Sequence, residues 1–303
     1  MTLATVLVQM PEMGARIAVI GKTGQLAKAL KKAIEASSHV AVFYDRDALD
    51  LRASKKVISE FIANLPPCDG VILAAAYTAV DLAESDKDTA MTVNGDAPGI
   101  IARVCKTRNI PLVHISTDYV FKGQAARPYK ITQAAAPLNS YGVSKHAGET
   151  NIQASGCRHA IVRTSWVYDG VGKNFLTTML SLAAEKNNIS VVDDQMGRPT
   201  YAGDLAKSVL KIMDGLIAQK EGCNGIFHVT NTGPVISWAE FAMAIFKAQN
   251  IDTQITAIPS SDYPTPAKRP SYSALDTSKF ETLFDYKLPS WQEGLSAALA
   301  ERL

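Results

Sequence analysis

The sequence predicts an α/β protein: a Rossmann-type doubly wound parallel sheet with a smaller C-terminal substrate-binding lobe. Short β-branched apolar runs alternate with longer stretches of helical pattern, as repeated βα units do on a parallel sheet covered on both faces. The first run passes straight into a small-residue turn, Gly21-Lys22-Thr23-Gly24-Gln25-Leu26-Ala27. Beyond residue 230 the alternation gives way to an irregular order, which marks the second lobe.

The expected strands, in chain order, are Arg16–Ile20, Val40–Phe43, Gly70–Leu73, Pro111–Ile115, Ala160–Arg163, Ile189–Val192 and Ile226–Val229, each a short run dominated by Val, Ile, Leu, Ala or Phe. Between them, apolar residues recur at helical spacing over Gly24–Ala36, Ser54–Asn64, Asp96–Thr107, Tyr141–Gln153, Phe175–Glu185 and Asp204–Ala218. The tail predicts a helix at Ser237–Gln249, a proline-bearing loop at Ile258–Pro270 and a last helix near Trp291–Glu301. The expected division is an N-terminal extension at 1–13, a dinucleotide-binding domain at 14–165 and a substrate lobe at 166–303, of which about 202–229 returns to the main sheet.

Composition narrows the function. At 303 residues and 47% hydrophobic content the chain is long enough to bury a sizeable core without covalent staples. A net charge of +2 gives no broad basic field, which argues against nucleic acid as a partner. No apolar run reaches the roughly 20 residues that cross a bilayer, so no membrane partner is expected. Cys68, Cys105, Cys157 and Cys223 are far apart and form no metal-ligand spacing, which fits a reducing cytoplasm. Residues 1–13 carry Pro11 and Glu12 and lack a basic leader, unlike a signal peptide.

The turn after the first strand reads G-x-x-G-x-x-A. Small residues there permit a tight turn, let backbone N–H groups approach a pyrophosphate and let the helix pack closely on its strand. Strand two ends at Tyr44-Asp45-Arg46. An acid at this place suits the ribose 2′-OH of NAD and an arginine the 2′-phosphate of NADP. Both are present, so these residues leave the choice open; NADPH is the expected cofactor, with NADH also fitting.

Tyr141 and Lys145 stand at i and i+4, on one face of a helix. A hydride-reduced carbonyl needs a proton donor, and a nearby ammonium brings a tyrosine toward the working pH. Strand four ends in Ser116-Thr117-Asp118, which puts a hydroxyl pair at the carboxyl end of a parallel strand, where such sheets bind ligands. Thr117 there can hydrogen-bond a substrate carbonyl. His39, His114, His146, His159 and His228 show no second ligand at motif spacing and read as satisfied structural histidines.

With these motifs the chain resembles the extended short-chain dehydrogenases of nucleotide sugars, and within them the dTDP-4-dehydrorhamnose reductase family. The resemblance covers nearly all of 16–300. It rests on Gly-Lys-Thr-Gly-Gln-Leu at 21–26, Ala-Ala-Ala-Tyr-Thr-Ala-Val-Asp at 74–81, Ser-Thr-Asp-Tyr-Val-Phe at 116–121, Tyr-Gly-Val-Ser-Lys at 141–145, Arg-Thr-Ser-Trp-Val-Tyr at 163–168, Asp-Gln-Met-Gly-Arg-Pro-Thr at 194–200 and Arg-Pro-Ser-Tyr-Ser-Ala-Leu-Asp at 269–276.

The resemblance implies reduction of the C4 keto group of a dTDP-4-dehydro-6-deoxy sugar, with Thr117, Tyr141 and Lys145 catalytic and Tyr141 the proton donor. It implies cofactor contacts from Gly21, Thr23, Gly24, Gln25, Leu26, Asp45, Arg46, Asp50, Ala74, Ala75, Ala76 and Tyr77, besides Tyr141 and Lys145. For the nucleotide-sugar substrate it implies Thr117, Asp118, Tyr119, Val120, Phe121, Trp166, Gln195, Arg198, Thr200 and Arg269, the last toward the diphosphate. The expected assembly is a monomer or homodimer. Some family members bridge a dimer through Mg²⁺ held partly by a glutamate after the glycine motif; here Lys28, Ala29 and Leu30 stand nearby, so no metal is expected.

Related 4,6-dehydratases carry Thr-Asp-Glu where this chain has Thr117-Asp118-Tyr119, and without that acid elimination lacks its base. A reductase or epimerase of another nucleotide 4-keto sugar stays open. So does a regulatory NADP-binding subunit resembling the β subunit of methionine adenosyltransferase, although that subunit departs from Ser-Thr-Asp-Tyr and Asp-Gln-Met-Gly-Arg-Pro-Thr, which this chain retains.

Overall fold

The computed structural model describes residues 14–302, so the expected extension at 1–13 lies outside the described residues. The chain opens with β1 (Arg16–Ile20), α1 (Gln25–Glu35), β2 (Val40–Tyr44), α2 (Lys55–Ala63) and β3 (Gly70–Leu73). There follow α3 (Lys87–Met91), α4 (Ala97–Thr107), β4 (Leu112–Thr117), α5 (Ser140–Ala154) and β5 (His159–Thr164). Next come β6 (Val167–Tyr168), α6 (Phe175–Ala183), β7 (Asn188–Val192), β8 (Met196–Gly197) and β9 (Thr200–Tyr201). The chain continues through α7 (Ala202–Ile217), β10 (Gly225–His228), β11 (Ile236–Ser237), α8 (Trp238–Ala248) and β12 (Gln254–Ile258), and closes with α9 (Ser278–Phe284) and α10 (Trp291–Ala300).

Six of these strands form one parallel sheet in the order β2-β1-β3-β4-β5-β10. Registers such as Ile17 beside both Ala41 and Gly70, Thr117 beside Thr164 and His228 beside Arg163 align the carboxyl ends along one edge. From β1 the chain first adds β2 on one side and then β3 on the other. That reversal opens a crevice at the carboxyl ends of β1 and β3, where open α/β sheets bind ligands.

Helices bury each face of the sheet. On one face, Val19, Val113 and Val162 pack with Leu30 of α1 and Val209 and Met213 of α7. On the other, Leu73 and Ile161 pack with Ile58 of α2, Ile101 of α4 and Ile152 of α5. The strand residues are buried on both sides, which is why they read as continuous apolar runs. A third core, around Tyr168, Phe241, Trp291 and Leu295, belongs to the C-terminal lobe.

Three local expectations change. The strand expected at Ile189–Val192 forms, but it pairs in parallel with β12, Ile189 beside Ile255, away from the large sheet. The Gln-Ile-Thr-Ala-Ile run of β12 and the short helix α9 were not expected. The helix expected at Asp96–Thr107 is the end of a longer one: α3 and α4 are joined by a π-helical turn at Thr92–Asp96. Gly148 of α5 lets the two helices close there, since a Cβ on it would lie 2.1 Å from the Asn94 carbonyl oxygen.

Candidate active site

The crevice is built on β1 and α1. Gly21 leaves β1 with φ +113°, a conformation open to glycine, and a Cβ there would lie 2.9 Å from the Ala75 nitrogen. The turn therefore lies directly against the Ala74-Ala75-Ala76 segment at the end of β3. Gly24 caps α1 with nothing within 4 Å of its absent side chain, and no acid stands in the first turn. The first helical amides are thus free to meet an anion, the donor set that a pyrophosphate needs. The cavity here, about 400 Å³, includes Gly21, Thr23, Gly24, Ala76 and Tyr77 in its wall. Tyr77 is held by a residue that sequence reading missed: buried Asn94, in the π turn, accepts from the Tyr77 amide at 2.9 Å and donates to its carbonyl at 2.9 Å. A π turn at a binding site was the signal, and it is not visible in linear sequence.

Charged groups frame the far end of this cavity. Asp45 accepts from the Ala48 amide at 3.1 Å and from Lys22 Nζ at 3.2 Å, and these bonds hold its carboxyl below the ordinary range. Asp50 is gripped by Arg52 through Nε at 2.9 Å and the terminal nitrogen at 2.5 Å, which takes it down to about 2. Arg46 is exposed on the same wall. Lys22 and Arg52, both on this wall, escaped the sequence reading because their partners are defined by the loop after β2.

A second cavity of about 610 Å³ shares Thr23, Gly24, Ala74, Ala76 and Thr78 with the first, so the two form one continuous cleft. Its wall brings together Thr117, Tyr141 and Lys145. Asn139 caps α5 by accepting from the Gly142 amide at 2.8 Å, which sets Tyr141 in the first turn and Lys145 one turn later. The Thr117 hydroxyl donates to Asp118 Oδ1 at 3.0 Å and accepts from the Tyr119 amide at 3.2 Å. Burial raises the Asp118 carboxyl to about 7, and its Oδ2 is buried without a partner.

Lys145 departs from expectation. Its Nζ donates to the Ile115 carbonyl at 2.6 Å and meets His114 Nε2 at 3.2 Å. Burial pulls it down to about 8, against the opposing charge of Glu149. Tyr141 is correspondingly not lowered: burial raises its phenol, Asp118 adds to that, and a hydrogen bond with Thr117 opposes it. Tyr141 is thus a fully protonated phenol at neutral pH, as a donor must be. Beneath this group Glu149 is buried against Arg163 at 2.6 and 2.8 Å and the Ser116 hydroxyl at 2.6 Å. Burial would raise its carboxyl, but the bonds from Arg163, His146 and Ser116 win and hold it at about 2.

Of the substrate candidates, Asp118, Tyr119 and Trp166 join Thr117 on the cleft wall. Trp166 has φ +49°, rare for a non-glycine residue, and its ring stacks on Trp238 with centroids 3.5 Å apart. Gly197 makes room, since a Cβ there would lie 2.6 Å from the Trp166 ring. Six others lie off both cavities. Val120 and Phe121 are core residues, Phe121 stacked on Tyr129 at 4.3 Å. Gln195 donates to the Ser260 hydroxyl at 2.9 Å, and Arg198 to the Gly233 and Leu275 carbonyls at 3.0 and 3.3 Å. Thr200 is fully buried. Arg269 donates to the Tyr119 hydroxyl at 3.1 Å and pairs with Asp81 at 2.6 Å, so its guanidinium supports the Tyr119 wall and lines neither cavity. Lys28 and Lys173 stand on the cleft wall in its place.

The histidines also differ from the sequence reading. His39 accepts from the Ala15 amide at 3.0 Å and lies 3.3 Å from Asp214, but His114 Nδ1, His159 Nε2 and both ring nitrogens of His228 are buried without hydrogen-bond partners. The four cysteines are free thiols, and Cys157 donates to the Arg158 carbonyl at 3.2 Å and lies 3.7 Å from that of Ile110.

The comparisons with known proteins agree with this architecture. The family model described as the RmlD substrate binding domain matches residues 15–303. A dTDP-4-dehydrorhamnose reductase of Sinorhizobium fredii is 38% identical over 283 residues, covering 92% of this chain and 94% of that one. The enzyme of the same name from Salmonella typhimurium is 37% identical over 293 residues, covering 94% and 97%. Among solved structures, dTDP-4-dehydrorhamnose reductase from Bacillus anthracis in complex with NADP superposes with a TM-score of 0.89 at 34% identity, covering 95% of this chain and all of that one. The chain belongs to the RmlD substrate-binding-domain family of Rossmann-like reductases.

Proposed function

We propose that the protein is an NADPH-dependent dTDP-4-dehydrorhamnose reductase, which reduces the C4 keto group of dTDP-4-dehydro-L-rhamnose to give dTDP-L-rhamnose. The observation that carries this reading is the continuous cleft: a glycine turn and free helix amides at one end, a threonine, a protonated tyrosine and a buried lysine at the other. Gly21, Thr23, Gly24 and the Ala74–Tyr77 segment would hold the coenzyme, with Arg46 at the adenosine end, where a cation favours the 2′-phosphate of NADPH, beside the Lys22–Asp45 and Arg52–Asp50 pairs. When bound, the coenzyme supplies hydride to the carbonyl carbon. Thr117 orients the carbonyl oxygen, Tyr141 donates the proton to it, and Lys145 supports the coenzyme side of the cleft. Asp118, Tyr119 and Trp166 would hold the nucleotide sugar.

We place the boundary between coenzyme and substrate parts near residue 165, with 202–229 belonging to the coenzyme part because α7 and β10 complete its core and sheet. Four free thiols support a reducing compartment, the cytoplasm, with the protein a monomer or homodimer. Among the described residues no helix is long and apolar enough to cross a membrane.

The test is oxidation of NADPH by purified protein in the presence of the keto sugar. Tyr141→Phe is expected to lower kcat by about 10² to 10⁴ while leaving NADPH binding intact. Wild-type protein that leaves NADPH unoxidised with that sugar overturns the reading, and so does full turnover by the variant.

A further inference from the structure

Lys145 is nine-tenths and more buried where α5, β4 and an ion pair meet, so its ammonium must be matched by acceptors within the protein. Two come from adjacent residues of β4: the Ile115 carbonyl at 2.6 Å and His114 Nε2 at 3.2 Å. An ammonium has donors only, so at this contact Nε2 accepts and the ring proton sits on Nδ1. Nδ1 has no partner of its own, so the lysine alone fixes the tautomer. Burial first, and the Lys145 charge second, hold His114 well below the ordinary histidine range, which keeps it a neutral acceptor across the physiological range. The other ionisable groups around this lysine are Tyr141, His146 and Glu149 on its own helix, with His146 Nδ1 3.5 Å from Glu149, Asp118 at the end of β4, and Arg163 and His159 of β5 behind Glu149 and His114. Glu149 turns both carboxyl oxygens to Arg163 and one also to Ser116, so its attraction for Lys145 is through space. His114 is therefore the side chain that holds the ammonium by direct contact.

We infer that His114 is a positioning residue for coenzyme binding: its Nε2, with the Ile115 carbonyl, docks the Lys145 ammonium on the floor of the cleft, so that the lysine meets the coenzyme as a cation. This rests on the reading of Lys145 as a coenzyme-side residue and is independent of which sugar is reduced. A hydrogen bond to a charged donor stabilises the charged form, and an aliphatic replacement removes it.

The experiment is NADPH titration, followed by nicotinamide fluorescence, from about pH 6 to about pH 10 on full-length wild type, His114→Leu and His114→Gln. Wild-type affinity is expected to fall as pH rises through about 8. In His114→Leu the fall moves about one pH unit lower, a roughly tenfold loss of affinity on the alkaline side with little change on the acid side. His114→Gln, whose amide oxygen can accept, restores most of the wild-type profile. Ring ¹⁵N shifts of His114 in wild type are expected to show the proton on Nδ1, a readout that needs no variant to fold. A proton on Nε2, a loss of affinity equal at every pH, or identical profiles for all three proteins overturns the inference. These profiles with no keto-sugar turnover would overturn the substrate reading alone.

Discussion

Replacing Glu149 by Gln tests the floor of the site. The side chain keeps its volume and loses its charge, and the Arg163 guanidinium, 3% exposed, is left buried beside a neutral amide. Two routes give the cost. Removing one partner of a buried ion pair costs about 3 to 5 kcal/mol, because the other charge stays uncompensated. Independently, a carboxyl carried from 4.5 down to about 2 stabilises the folded state by about 3 kcal/mol at neutral pH, at about 1.4 kcal/mol per pH unit. The routes agree. Because the folded value is depressed, this stabilisation is fully present above about 4.5 and is lost as pH falls through about 2. Urea unfolding near neutral pH should therefore show Glu149→Gln less stable by about 3 kcal/mol, with the gap narrowing as the medium is made acid. The double variant Glu149→Leu with Arg163→Met should recover part of the loss. A Glu149→Gln protein within 1 kcal/mol of wild type at neutral pH would refute the account of this pair.

Three further outcomes follow from the geometry. Gly21→Ala places a methyl 2.9 Å from the Ala75 nitrogen at φ +113°, and a strain of about 1 to 3 kcal/mol should weaken NADPH binding by roughly 5- to 150-fold; unchanged affinity would show that the turn adapts. Asp118 is raised from 3.8 to about 7, so wild type loses stability as pH rises through that window; Asp118→Asn should be the more stable protein above about pH 7, by up to about 4 kcal/mol, and parallel stability curves would contradict this. Trp238→Ala removes the plate behind Trp166, so KM for the sugar should rise by roughly tenfold with a smaller change in kcat, and the near-ultraviolet circular dichroism of the stacked indoles should vanish; an unchanged KM would show that Trp166 holds its place without support.

The large sheet was legible because its strands are buried on both faces and write themselves as Val, Ile and Leu runs. The pair β7 and β12 was not: Gln254-Ile255-Thr256-Ala257-Ile258 lies half exposed, and its partner is more than sixty residues earlier. In the site, Tyr141 and Lys145 were readable because their relation is one helical turn. Glu149, Arg163 and His114 were not, because β4 and β5 must pair before they meet. The segments 116–121, 194–200 and 269–276 spoke strongly for the family, yet six of their nine expected substrate residues line neither cavity. Sequence specificity there records the construction of the cleft wall as much as contact with a ligand.

The return of α7 and β10 to the first core sets the order in which the chain can mature. Without Val209, Met213 and Phe227 one face of the sheet is covered by α1 alone, and without β10 the outer edge of β5 has no partner. At synthesis rates of about 5 to 20 residues per second, the segment ending at residue 165 waits several seconds before the residues that cover it have been made. During that interval it carries an open strand edge and an apolar face, the two surfaces on which chains aggregate. A nascent chain of this protein needs its coenzyme half shielded until about residue 229 has emerged.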